Sequence, residues 1–118
     1  MEKARGRQFK ILIVDRNDRF REVLKQIIWT HYPRARILEA GGPVEALRLA
    51  LTQNPALIML EIDLHGASGL DLARQIRAHP IPSMIAVVTQ DDLPEYEAAA
   101  YQRGADRFVS KCTHNGQT

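Results

Sequence analysis

The sequence predicts an α/β protein: a parallel sheet of five short strands with helices on both faces. Three observations carry this. Short, almost wholly apolar runs such as residues 56–60 recur along the chain, and runs of that kind suit strands covered on both sides. Between them lie longer segments whose apolar residues recur at helical spacing. Proline and glycine punctuate the joints. Alternation of this kind produces a layered fold around a parallel sheet.

Residues 9–14 form the first apolar run, ending at Asp15. Phe20, Val23, Leu24, Ile27 and Ile28 follow at i, i+3, i+4, i+7 and i+8, marking one apolar face of a helix. Asn17 or Asp18 can cap it, and Pro33 lies just past its end. Residues 36–39 are a short strand. Gly41, Gly42 and Pro43 make a turn, and Pro43 suits a first helical position. Val44, Leu47 and Leu51 mark a second helix, stopped before Pro55. Residues 56–60 are the third strand. The loop at 63–68 leads to Ser68, which with Asp71 resembles a capping box. Leu72, Ala73 and Ile76 face inward from a third helix, ended by Pro80 and Pro82. Residues 84–88 are the fourth strand. Pro94 opens a fourth helix that stops at Gly104, a natural C′ residue. Residues 107–110 are the fifth strand.

In open sheets of this kind ligands bind beyond the carboxyl ends of the strands. The residues there are Asp15, Glu61, Thr89 and Lys111.

The chain has 118 residues, 45% hydrophobic and 25% charged, which bounds it to one small globular domain. Residues 1–8 read as a frayed terminus and 9–118 as the domain. The net charge of +2 selects no partner class. Lys3, Arg5, Arg7 and Lys10 crowd the start, but without the aromatic or amphipathic company of a nucleic-acid or membrane patch. Cys112 is the single cysteine, so no intrachain disulfide forms, which fits a reducing compartment. No apolar run approaches the ~20 residues needed to span a bilayer. These features lead to a cytoplasmic assignment.

The segments Ile11-Leu-Ile-Val-Asp15, Gly42-Pro-Val-Glu-Ala-Leu47, Pro55-Ala-Leu-Ile-Met-Leu60, Gly66-Ala-Ser-Gly-Leu-Asp-Leu72, Val87-Val-Thr89 and Gly104-Ala-Asp-Arg-Phe-Val-Ser-Lys111 appear in an order and spacing that resembles the receiver domains of two-component response regulators. The resemblance covers residues 9 to 111. It implies a flavodoxin-like sheet of order 2-1-3-4-5 and a role in phosphorelay signal transduction. It also implies site roles. An aspartate ending the third strand accepts a phosphoryl group, and two acids after the first strand help hold Mg²⁺. A Ser or Thr after the fourth strand and a Lys after the fifth bind phosphoryl oxygens, and an aromatic in the fifth strand reports the switch. Asp15 matches the first acid, Thr89 the hydroxyl, Lys111 the lysine and Phe108 the aromatic.

Other positions depart from the pattern. Glu61 stands where the accepting aspartate belongs, and Arg16 where the second acid belongs. Ala56 and His65 replace a common Asp and Pro, and Cys112 replaces the usual proline. Mg²⁺ needs hard oxygen ligands in near-octahedral array. Arg16 removes one and adds a cation, which at ~5 Å and an effective dielectric of ~20 repels a divalent ion by roughly 6 to 7 kcal/mol, an upper-end figure because Arg16 can swing into water. Asp15 and Glu61 are the remaining metal-facing acids, and weak or absent Mg²⁺ binding is the expectation. The Glu61 carboxylate is expected about one bond length further out than an aspartate's, outside the position in-line attack needs. Glu61 could pair with Arg16 or Lys111 and fill the acidic pocket of Asp15, Arg16 and Glu61. A carboxylate lacks the three oxygens and the nearly double charge of a phosphoryl group, so a fixed state is favoured over true mimicry. The family's Lys-Pro bond is cis. A cis Lys111–Cys112 bond would cost about 3 kcal/mol, so a trans bond with a rerouted loop and a displaced Lys111 is expected.

The leading reading is therefore a degenerate receiver, not an enzyme, acting through protein contacts with a histidine kinase or an output domain. One alternative keeps phosphorylation, with Asp63 or Glu61 as acceptor; another is a flavodoxin-like nucleotide-binding module. The latter needs a Ser/Thr/Gly-rich loop after the first strand, where this chain has Asp15-Arg16-Asn17-Asp18. Phe108 reads as core rather than an active switch. His31, His65, His79 and His114 lack metal-ligand spacing and read as surface residues. Residues 112–118 carry no helical apolar stripe, so the family's last helix is expected short or missing. The sheet face beside the first helix would then be open to a partner or to a second copy.

Overall fold

A computed structural model of the chain describes residues 9–111. The elements are β1 (Lys10–Val14), α1 (Asp18–His31), β2 (Arg36–Ala40), α2 (Pro43–Gln53), β3 (Leu57–Leu60), α3 (Gly69–Arg77), β4 (Met84–Thr89), α4 (Pro94–Gln102) and β5 (Arg107–Ser110). The strands form one sheet of order β2-β1-β3-β4-β5, with all neighbours parallel. The expected three-layer fold and strand order are those observed. The expectations of a frayed N-terminus, of a trans bond before Cys112, of a surface His114 and of a short or missing last helix fall outside the described residues.

Alternation along β1 divides the core in two. Leu12 and Val14 join Ile58, Leu60, Ile85 and Val87 beneath α2, α3 and α4. Ile11 and Ile13 point the other way, against Ile28 and Ala35, with Leu24, Ile37, Leu57 and Met59 partly buried around them. Among the described residues α1 is the helix on this second face.

Two helical faces differ from what spacing implied. On α1, Ile28 is buried, while Val23 and Ile27 are 51% and 52% exposed. The apolar stripe is wider than the strip of sheet the helix covers. On α2, Val44 is 84% exposed and the buried residues are Ala46 and Ala50. Small side chains let this helix lie close to the sheet, so its inner face is its least conspicuous one. The third helix follows expectation, with Leu72, Ala73 and Ile76 fully buried.

The joints are made as their residues suggest. Asn17 caps α1 by accepting the Phe20 N–H at 2.9 Å. Ser68 caps α3 by accepting the Leu70 and Asp71 N–H groups. Gly69 is required there: a Cβ built on it overlaps the Glu61 carbonyl oxygen. Its N–H donates to the Ile62 carbonyl at 2.6 Å, so α3 starts in backbone contact with the loop leaving β3. Gly104 adopts φ +101° at the end of α4, a conformation that glycine takes without strain.

Candidate functional site

Parallel register brings the four strand ends to one edge of the sheet. Val14 pairs with Leu60, Leu60 with Val87, and Thr89 with Ser110. The residues that follow therefore meet: Asp15 after β1, Glu61 after β3, Thr89 at the end of β4, and Lys111 after β5. Asp15, Glu61 and Lys111 line a cleft of about 150 Å³ together with Arg16, Asn17, Asp63, Gln90 and Asp91, while Thr89 is fully buried and bonded to Glu61.

Lys111 is the centre of the arrangement. Its Nζ lies 2.7 Å from Asp15 Oδ2 and 2.7 Å from Glu61 Oε1. The three side chains are only 10%, 4% and 8% exposed. Burial draws the ammonium towards its neutral form, but hydrogen bonds to Asp15 and Glu61, together with their charges, outweigh it. Lys111 is held above the ordinary lysine range.

Glu61 does not extend outward as its extra methylene suggested. Its side chain curls back, and Oε2 accepts the Ile62 N–H at 2.7 Å and the Asp63 N–H at 3.2 Å. The same oxygen accepts the Thr89 hydroxyl. Local backbone donors are why: two N–H groups just past the strand end offer a carboxylate more than bulk water does. Thr89 Oγ1 in turn accepts the Asp91 N–H at 3.1 Å. The partner of Glu61 is Lys111; Arg16 is exposed at the rim of the cleft. Lys111 is not displaced, as the loss of the proline after it had suggested. It reaches both carboxylates directly.

Asp15 is equally committed. Its N–H donates to the Ala40 carbonyl at 3.0 Å, and Oδ1 accepts the Asn17 N–H at 2.9 Å. The oxygens that a hard cation would need at Asp15 and Glu61 thus face Lys111, a hydroxyl and backbone donors. Among the described residues no group of three or more His, Cys, Asp or Glu side chains converges as metal ligands. Asp63 is exposed, and its Oδ1 accepts the His65 N–H at 3.0 Å, the geometry of a loop-forming aspartate. Phe108 is partly buried and packs against the larger core cluster. His31, His65 and His79 are exposed.

Two residues that helical spacing marks only as positions of α1, Phe20 and Arg21, belong to this site. The Phe20 ring centroid lies 4.0 Å from Lys111 Nζ. The Arg21 guanidinium donates to the Asp15 carbonyl oxygen. Their spacing signals only a helix face, so nothing in the sequence alone separated them from their neighbours.

No helix among the described residues is long and apolar enough to cross a membrane. The model of the response regulator receiver domain family matches residues 11–117. The nitrate/nitrite response regulator protein homolog of Haemophilus influenzae is 26% identical over 106 residues, covering 90% of this chain and 51% of that protein. The protein-glutamate methylesterase/protein-glutamine glutaminase of Pyrococcus horikoshii is 32% identical over 108 residues, covering 90% of this chain and 29% of that one. The chain thus spans about half the length of the first relative and under a third of the second. Among solved structures, the signal receiver domain of the putative response regulator NarL from Mycobacterium tuberculosis superposes with a TM-score of 0.83 at 22% identity, covering 92% of this chain and 88% of that one. A LuxR-family two-component response regulator from Aurantimonas gives 0.83 at 25% identity, covering 91% and 76%. With its sheet order, the meeting of its strand ends and a family match over nearly its whole length, the chain belongs to the response regulator receiver domains of two-component signalling.

Proposed function

We propose that this receiver domain is held in one state by its own Glu61, is not phosphorylated at that position, and signals through protein contacts without catalysis. The observation that supports this reading is that Glu61 already engages both Lys111 and Thr89. These are the two groups that would otherwise receive phosphoryl oxygens. Mg²⁺ does not fit the pocket as it stands. A divalent ion would have to displace Lys111 from two carboxylates and approach Arg16, at a cost the remaining oxygens do not repay. Incubation with a small phosphodonor and Mg²⁺, followed by intact mass, tests the reading. Unchanged mass is expected; a stable gain of one phosphoryl group overturns it.

Asp63, two residues past Glu61, shares the cleft lining and is the substitute acceptor that the alternative reading names. Its engagement with the His65 N–H favours a loop-forming role instead. A nucleotide is disfavoured, because four carboxylates line the cleft against two cations, Arg16 and Lys111.

By analogy with relatives named as response regulators, the partners are a histidine kinase and an output domain, in the cytoplasm. The reading extends to a contact surface. On the face of the sheet that α1 covers, register sets Leu57 beside Met84 and Val88 beside Val109. Met84 and Val109 are 44% and 45% exposed. Val23 and Ile27 of α1 belong to this side of the sheet and are about half exposed. We assign this apolar face to a second copy of the chain. Size measured at several concentrations should rise with concentration, and Val109→Asp should abolish the rise. A strict monomer at high concentration removes this element of the proposal.

A further inference from the structure

Two consecutive residues of α1 hold the two halves of the buried Asp15–Lys111 pair. Phe20 presents its ring to the Lys111 ammonium at 4.0 Å. Arg21 donates to the Asp15 backbone carbonyl from Nη1. The Arg21 guanidinium is itself fixed from two directions. Its Nε donates to Glu39 Oε1 at 2.8 Å and its Nη2 to Asp18 Oδ1 at 2.6 Å. Lys25, one turn further along α1, donates to the other Glu39 oxygen at 2.8 Å. Asn17 closes the arrangement, because its N–H holds Asp15 Oδ1 while its side chain caps α1.

We infer that Phe20 and Arg21 are positioning residues of the pocket: Phe20 holds the Lys111 ammonium against the two carboxylates, and Arg21 holds the backbone from which the Asp15 carboxylate projects. The inference deepens the proposed function, since it rests on Lys111 being the pocket's resident cation. An aromatic face attracts an ammonium. The ring also keeps water from one side of it, which strengthens the ion pairs. A guanidinium serves at position 21 because its planar fork bonds a carbonyl and two carboxylates at once, where an ammonium offers no fixed geometry. The first turns of α1 thus join β2, through Glu39, to the tip of β1 and to Lys111. Val23 and Ile27 on the same helix are surface residues. A partner that tilts α1 must draw Phe20 off the ammonium, so the flank of α1 and the buried pocket are mechanically one unit.

The ammonium ¹H–¹⁵N resonance of Lys111, recorded on the full chain at neutral pH, tests this. In the wild type the signal should exchange slowly and be shielded by the Phe20 ring. Phe20→Leu should move it downfield, and Phe20→Tyr, which keeps the aromatic face, should restore it. Arg21→Lys keeps the charge but loses the fork; it should speed ammonium exchange and shift the Asn17 amide. A Lys111 signal unmoved by Phe20→Leu and by Arg21→Lys overturns the positioning role. Absence of a slowly exchanging Lys111 signal in the wild type instead overturns the reading of the pocket itself. Should Phe20→Leu fail to fold, Phe20→Tyr and Arg21→Lys still decide the matter: an Arg21→Lys signal identical to wild type contradicts it.

Discussion

Lys111 Nζ lies 2.7 Å from Oε1 of Glu61, the residue that follows β3. The same ammonium lies 2.7 Å from Asp15. One cation thus serves two buried acids, and the stability of the strand-end cluster should depend on it.

Lys111→Met leaves Asp15 and Glu61 facing each other without a counter-charge. Removing one partner of a buried ion pair costs about 3–5 kcal/mol. Chemical denaturation should show a loss of that order. The double variant Glu61→Gln/Lys111→Met should recover part of it, because one of the stranded charges is gone. If the single variant is as stable as wild type, the lysine is not the counter-charge described.

The pH dependence follows from the raised Lys111. A group whose folded pKa lies above its unfolded value contributes stability that is fully present below the unfolded value, about 10.4 for lysine. That contribution is lost as pH rises through the folded pKa. Wild-type stability should therefore fall above pH ~10.4 more steeply than that of Lys111→Met. Parallel alkaline limbs for the two proteins would contradict this.

Gly69→Ala tests the joint that sets Glu61 in place. The added Cβ meets the Glu61 carbonyl and the Ile62 backbone, not a flexible side chain that could move aside. Overpacking of this kind costs about 1–3 kcal/mol, and about 4 °C in Tm for each kcal/mol in a domain of this size. The Ile62 and Asp63 amides, which bond Glu61 Oε2, should shift with it. An unchanged Tm would mean that the loop yields more easily than its contacts imply.

Much of this was legible in the sequence because strand ends are. Short apolar runs mark β1 to β5, and the residues that close them in the sequence are Asp15, Glu61, Thr89 and Lys111. Periodicity was weaker on helix faces. It marks where apolar residues recur, not which stripe the sheet covers, so Val44 stood out while Ala46 and Ala50, which do the packing, did not. The course of the Glu61 side chain was hidden for another reason. Its length suggested outward reach, but the N–H groups of Ile62 and Asp63 are visible only once the loop is built. Phe20 was unreadable as a site residue because its contact runs to residue 111, far away in sequence; Arg21 reaches back only to the Asp15 carbonyl, but helical spacing does not show that the turn before α1 aims it there.

Magnesium provides a further check. With the carboxylate oxygens engaged and Arg16 at the rim, titration of the wild type with Mg²⁺ should give no saturable shift at the Asn17, Ile62 or Asp63 amides. A saturable shift confined to those amides would show that the ion displaces Lys111.

The most direct test of the central claim compares the wild type with Arg16→Asp/Glu61→Asp by intact mass after the same phosphodonor and Mg²⁺ treatment. Asp15, Thr89 and Lys111 are in place in both. No mass gain is expected for the wild type and one added phosphoryl group for the double variant. A wild type that gains the group as readily as the variant would contradict the claim.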